Sequence, residues 1–314
     1  MSTAPLPRFT PRRALGRTGF IATPVGIGDI ADRAVPRASL VATLRRALDA
    51  GLNVIDTAPA YEEGLSEEVV GEALRGRREG VFLIDKVDEL DAPVAPQVEA
   101  SLRRLGHDTV DLFAFHGVSE LSTWDALAAP GGGLEQLGAC VRAGQARFRG
   151  ISSHHPEVLL AAVSSGWCDV VMFPLGPFVD MRYVRDVLPL ARSRGVGVVS
   201  FKTFGAGKLL GDTEGYGRPL ETRPPGAAPL PRLGVEECVR YTLTLDPDVM
   251  LMGMSHPDEQ DAALHAAHAW RPLASEELAQ VRERARAAIQ GKGKVWWDPP
   301  EVSPAGGGRR GPTS

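Results

Sequence analysis

The chain has 314 residues, 39 acidic and 35 basic, for a formal charge of −4, with 43% hydrophobic and 24% charged side chains. These proportions are ordinary for a globular protein and exclude both a strongly basic nucleic-acid binder and a disordered acidic chain. No apolar run approaches membrane-spanning length, and Met1–Pro11 lacks the apolar stretch of a secretory leader.

Short Val/Ile/Phe-rich segments alternate with longer segments of helical period. The predicted strands are Thr23–Gly28, Asn53–Asp56, Val81–Lys86, Val110–His116, Arg147–Ile151, Val170–Phe173, Gly197–Phe201 and Val249–Gly253. The predicted helices are Arg37–Ala50, Ser66–Arg75, Ala95–Leu105, Leu134–Ala143, Pro156–Ser164, Arg182–Arg194, Val235–Leu245 and Asp258–Ala269. Ser66 ahead of Glu67 and Glu68 has the chemistry of an N-cap. Strand and helix repeated eight times is the pattern of an α/β protein of the (β/α)8 TIM-barrel type, one domain over 1–314. An open doubly wound sheet would want a third glycine after Gly26 and Gly28, and none follows.

Three pieces lie outside the repeat. Ala14–Phe20 predicts an N-terminal β-hairpin. Phe204–Leu233 is a Gly/Pro-rich loop, long enough to suggest a functional role. Ser275–Gln290 predicts an extra C-terminal helix, and residues 1–11 and 303–314 are expected to be flexible. Cys140, Cys168 and Cys238 are too few and too far apart for a disulfide framework or a zinc site. No metal is expected, and a reducing, cytoplasmic setting is.

Active sites of such barrels sit at the C-terminal ends of the strands. Four titratable residues fall there: Asp56 ends the second strand, Tyr61 follows in its loop, Lys86 ends the third strand and His116 ends the fourth. Together they make coherent chemistry. A free tyrosine titrates near 10. An adjacent ammonium is expected to lower that value, with Asp56 keeping Lys86 charged. Tyr61 would then give its proton to a carbonyl oxygen that His116 orients. Trp124, Phe178, Tyr183, Trp296 and Trp297 are candidates to line an apolar pocket. Asp85 should face the helix layer.

The stretch Asn53-Val-Ile-Asp56-Thr-Ala-Pro-Ala-Tyr61-Glu-Glu-Gly64-Leu-Ser66-Glu67, with Lys86 and His116, resembles the Asp/Tyr/Lys/His tetrad of the aldo-keto reductase superfamily. The resemblance runs from about Arg13 to Ala269. It implies reduction of an aldehyde or ketone, or the reverse oxidation of an alcohol or sugar, with NADPH (NADH also open) and without metal. It places cofactor contacts at Gly28 and Asp29, at Ser152 and Ser153, at Met172 where a Gln is usual, and at Phe201 as a stacking ring. Further contacts follow at Lys202, Phe204, Gly205 and Gly207 beside the pyrophosphate, with Lys208, Arg218 or Arg223 as phosphate partners. Gly253, Ser255 and Glu259 would meet the adenosine end. Ser255 stands where many relatives carry a cation, so the choice of cofactor stays open.

The expected partner is a small carbonyl or alcohol compound, with no nucleic acid, no membrane and an open oligomeric state. Two other readings remain. Lys86 could form a Schiff base in an aldolase-type lyase, or the barrel could be a non-catalytic, nicotinamide-binding regulator.

Overall fold

The computed structural model describes residues 5–30, 32–220, 226 and 228–297. A hairpin of β1 (Arg13–Ala14) and β2 (Ile21–Ala22) comes first, turning through Gly16–Thr18 and Gly19. There follow β3 (Val25–Ile27), α1 (Arg37–Asp49), β4 (Val54–Asp56), α2 (Leu65–Leu74), β5 (Phe82–Val87), α3 (Val94–Leu105) and β6 (Val110–Phe115). Next are α4 (Leu121–Ala128), α5 (Gly133–Arg142), β7 (Ala146–Ser152), α6 (Pro156–Ser165) and β8 (Val170–Pro174). A π-turn over Tyr183–Val187 leads into α7 (Leu188–Ser193) and β9 (Gly197–Phe201). A small hairpin, β10 (Thr213–Gly215) and β11 (Arg218–Pro219), precedes α8 (Val235–Leu245), β12 (Val249–Met252), α9 (Pro257–Ala269) and α10 (Ser275–Ile289).

Eight parallel strands close in the order β12-β3-β4-β5-β6-β7-β8-β9. Side chains alternate across each strand, so every second residue enters the barrel. Val54, Phe82, Ile84, Leu112, Ala114, Val170, Met172, Val199, Val249 and Leu251 fill it as one apolar cluster. Truncating such a ring, as in Phe82→Ala, costs about 3–5 kcal/mol. The hairpin plugs the N-terminal mouth: Leu15 is buried in this cluster, and the Arg17 amide donates to Gly195 O at 2.6 Å. Gly16 (φ 48°) has no room for a side chain, because a Cβ there would lie 2.1 Å from the Gly197 nitrogen. The alternate residues, such as Phe113, Val171 and Val198, pack against the helices in a larger outer cluster.

Several expectations need correction. Ser66 lies inside α2, which begins at Leu65 after Gly64. Its hydroxyl accepts from Thr57 Oγ1 at 2.9 Å and caps nothing. The expected helix Arg182–Arg194 is split by the π-turn, with Pro189 near the start of the α-helical part. Helix α4 was not predicted, because its Ser-Thr-rich start hid a short period. Within the N-terminal stretch expected to be flexible, Phe9 is buried and its amide donates to Ala50 O at 2.8 Å. The stretch 303–314 lies outside the described residues. The three cysteines are buried and free. Among the described residues no helix is long and apolar enough to cross a membrane.

Candidate active site

The alternation that fills the barrel also places the polar groups. Asp56 follows Val54, Lys86 follows Phe82 and Ile84, and His116 follows Leu112 and Ala114, each on the inward face and one step above the apolar fill. Register brings them level: Asp56 pairs with Ile84, and Lys86 with Ala114. His116 continues the ladder past β6, its amide donating to Val87 O at 2.9 Å.

Lys86 Nζ donates to Asp56 Oδ1 at 2.7 Å and to Thr57 O at 2.8 Å, with both side chains under 5% exposed. The same ammonium lies 4.4 Å from the centre of the Tyr61 ring, a cation–π contact. The Asp56 carboxylate and the Tyr61 phenol act on each other electrostatically, the charge on Asp56 opposing ionisation of the phenol. The rings of Tyr61 and His116 meet edge to face, 5.6 Å apart at 84°. Asp56, Tyr61, Lys86 and His116 thus form one cluster at the C-terminal rim.

Tyr61 sits on a short 3-10 turn, Tyr61–Gly64, in which Glu62 (φ 48°) and Glu63 (φ 54°) are left-handed. That conformation costs a non-glycine residue roughly 1–2 kcal/mol. Arg33 clasps the turn, bonding Glu62 Oε2 at 2.9 Å, Glu62 O at 2.8 Å and Glu63 Oε2 at 2.8 Å. Exposed ion pairs contribute about 0–1 kcal/mol each, so Arg33 offsets only part of the strain. A second tie lies upstream, where the Ala60 amide donates to Asp88 Oδ2 at 2.6 Å.

The electrostatics differ from expectation at Tyr61. Burial, then the charges of Asp56, Asp29, Tyr216 and Asp88, push the phenol well above its usual range, rather than Lys86 lowering it. Burial is the largest cause, the Asp56 charge adds to it, and Lys86 is bonded to Asp56. Burial also raises Asp56, and Lys86 pulls it back part of the way. Asp85 faces the helix layer as expected. Burial and Glu67 push its carboxyl well up, and its Oδ2 has no hydrogen-bond partner among the described residues.

Two polar residues at this rim have no site role in the sequence reading: Asp88 is not singled out, and His154 is set aside with His155 as a poor metal pair. Asp88 Oδ1 accepts from His116 Nδ1 at 2.5 Å. It stands two residues beyond Lys86, so the period-two pattern carried the signal. His154 ends the β7 rim, its ring 5.3 Å from that of Phe201, with a buried Nε2 that bonds to nothing among the described residues. Burial, then the charges of Lys202, His116 and His155, lower its pKa to about 3, so it is a neutral ring.

The remaining predicted residues divide. Phe201 and Lys202 stand at the β9 rim. Lys202 (φ 66°) lies 4.5 Å from the Tyr216 ring centre, and burial lowers its ammonium to about 8, partly offset by Asp29. Gly205 (φ 56°) and Gly207 (φ 89°) shape the next turn, beside a half-buried Phe204. Gly253 approaches Asp29 closely, with a Cβ at 253 only 2.8 Å from Asp29 O, and Gly28 donates its amide to Met252 O at 3.0 Å. Ser255 leads into α9. Ser152 Oγ accepts from the Gly117 amide at 2.9 Å, which leaves its own proton to donate. Met172 belongs to the barrel fill.

Others are engaged elsewhere. Ser153 donates to Val118 O at 2.6 Å and accepts from His155 N, so its hydroxyl faces a loop. Glu259 accepts from the His256 amide at 3.2 Å, capping α9. Lys208 is fully buried and donates to Lys292 O and Lys294 O, at 2.5 and 2.9 Å, which removes it from any phosphate. Arg218 donates to Gly215 O, and Arg223 lies outside the described residues. Of the pocket aromatics, Trp124 and Tyr183 are core. Trp297 is core too, donating to Phe178 O at 3.0 Å, while Trp296 stacks near Tyr216.

The model of the aldo/keto reductase family matches residues 25–285, and the chain belongs to that family. Its fold matches an aldo-keto reductase of Bacillus halodurans in its holo form, at 27% identity and a TM-score of 0.69, covering 91% of this chain and 99% of that one. An aldo-keto reductase of Klebsiella pneumoniae in complex with NADPH shares the fold at 23% identity, with a TM-score of 0.66 over 87% of this chain and 95% of that one. Among curated relatives, methylglyoxal reductase YeaE of Escherichia coli is 40% identical over 120 residues, 37% of this chain and 40% of its own length. L-galactose dehydrogenase of Arabidopsis thaliana is 30% identical over 219 residues, 63% of this chain and 66% of its own length. The matched stretches therefore span less than two thirds or close to it of these curated relatives, whereas the structural matches are nearly complete.

Proposed function

We propose that this protein is an NAD(P)H-dependent oxidoreductase that reduces an aldehyde or ketone to an alcohol, with Asp56, Tyr61, Lys86 and His116 as its catalytic residues. The observation that carries the reading is the convergence of these four side chains at one rim, with the phenol against both a carboxylate and an ammonium. The family's chemistry, and the reductases and dehydrogenases among its relatives, support it.

The residues at the rim fit a nicotinamide dinucleotide. Phe201 offers a ring platform with His154 beside it, whose Nε2 is unbonded among the described residues, and the Ser152 hydroxyl at the end of β7 is a further polar group for an amide. Lys202 offers a cation for phosphate. When bound, that group supplies a hydride for the carbonyl carbon. Tyr61 supplies the proton for the oxygen. Its raised pKa keeps the phenol protonated at neutral pH, loaded to donate rather than pre-ionised. Lys86 then faces the phenolate left behind, and His116 stands beside the same oxygen. The aldolase reading is disfavoured, because Lys86 is committed to Asp56 and Thr57 and held as an ammonium.

Steady-state assays with a panel of aldehydes test this directly. Oxidation of NADPH or NADH by at least one aldehyde is expected, and titration of each by tryptophan quenching sets the preferred cofactor. Quenching without turnover across the panel would instead favour a regulatory barrel.

A further inference from the structure

Asp88 belongs to neither the barrel fill nor the four-residue cluster, yet it touches both loops that carry the acid chemistry. One carboxylate oxygen accepts from His116 Nδ1 at 2.5 Å, and the other accepts from the Ala60 amide, directly before Tyr61, at 2.6 Å. A neutral imidazole carries one proton. A carboxylate has none to give, so the hydrogen bond assigns that proton to Nδ1. His116 Nε2 bonds to no described residue and is left without a proton. A neutral ring held this way accepts at Nε2 and donates nothing there.

We propose, on the strength of the reductase reading, that Asp88 is a positioning residue that fixes the Nδ1–H tautomer of His116, so that the ring donates to the carbonyl oxygen only when doubly protonated. The Ala60 bond puts Tyr61 and His116 in one frame, so the acid and the ring meet the same oxygen. Burial raises Asp88, but His116, the Ala60 amide and Lys86 more than offset it. It stays below its usual range, as fits an acceptor of both hydrogen bonds. The other groups facing His116 are Tyr61, Asp56 and the neutral His154. None of them offers Nδ1 an alternative acceptor among the described hydrogen bonds.

Two measurements test this. Nitrogen NMR of histidine-labelled protein, with the signal assigned through His116→Gln, reads the tautomer without turnover. The wild type should show Nδ1–H, and Asp88→Asn, whose amide can donate to Nδ1, should show Nε2–H. In kinetics, wild-type kcat/KM for reduction should fall by about tenfold per pH unit on its alkaline limb. Asp88→Asn should lose that limb, since its neutral ring can donate from Nε2. An Nε2–H signal in the wild type overturns the proposal, as does a variant with unchanged tautomer and unchanged profile. If the wild type reduces no carbonyl, the reductase reading fails while the NMR result still decides the role of Asp88.

Discussion

The two sides of the barrel rim use their charges in opposite ways. At the ends of β4, β5 and β6 the ionisable side chains engage one another: Lys86 bonds to Asp56 and lies over the Tyr61 ring, and His116 bonds to Asp88. On the β9 side the cations are held by backbone and rings. Lys208 and Lys292 each donate to the other's carbonyl, fastening the segment before Trp296 to the turn at Gly205, while Lys202 lies against Tyr216 and Trp296. The first side joins groups on strand ends and on the turn at Tyr61 into one bonded cluster, the proton donor of the proposed chemistry. The second is a clasp of loops in which Lys202, bonded to the Tyr216 hydroxyl, is the cation we expect to meet an anion. Chemistry and binding should therefore separate under mutation.

The sharpest break comes at Lys86. Lys86→Met should lower turnover by about 10²–10⁴-fold. It should also destabilise the fold by about 3–5 kcal/mol, because Asp56 would be left buried and unpaired. Denaturant melts beside kcat report both. Lys202→Met should act on the other side only, weakening NADPH about tenfold with kcat nearly unchanged. Because this ammonium titrates at about 8, wild-type affinity should fall as pH rises through that value and the variant's should not. Cofactor titrations on either side of that pH settle it.

Smaller effects refine the contrast. His154 has its pKa lowered from 6.5 to about 3, so between those values the unfolded chain binds the proton and the folded one does not. Its contribution to stability is full above 6.5 and shrinks as the pH drops toward 3. His154→Phe should flatten that part of a Tm-against-pH curve. Asp85 has the opposite sign. Its raised pKa means the folded state holds a proton that the unfolded state releases, which costs stability at neutral pH. Asp85→Asn should raise Tm slightly at pH 7, with the gain vanishing in acid.

The barrel was legible in the sequence because eight buried strands bounded by helices leave few other arrangements, and strand-end polarity marked Asp56, Lys86 and His116. What stayed hidden depended on where a side chain finds its partner. Ser153 reads as a free hydroxyl until Val118 O appears beside it, and Lys208 as a phosphate ligand until the C-terminal segment buries it. The direction of the Tyr61 shift differs from expectation for a related reason: the spacing shows charges near a phenol but hides how deeply the phenol is buried, the largest cause of its raised pKa.

The central claim is that Tyr61 delivers the proton. Rapid mixing of excess protein–NADPH complex with an aromatic aldehyde, followed through nicotinamide absorbance over a single turnover, tests it directly. The wild type should consume the reduced cofactor, whereas Tyr61→Phe should bind NADPH as tightly and leave the absorbance flat. A decay in the variant at the wild-type rate would contradict the account.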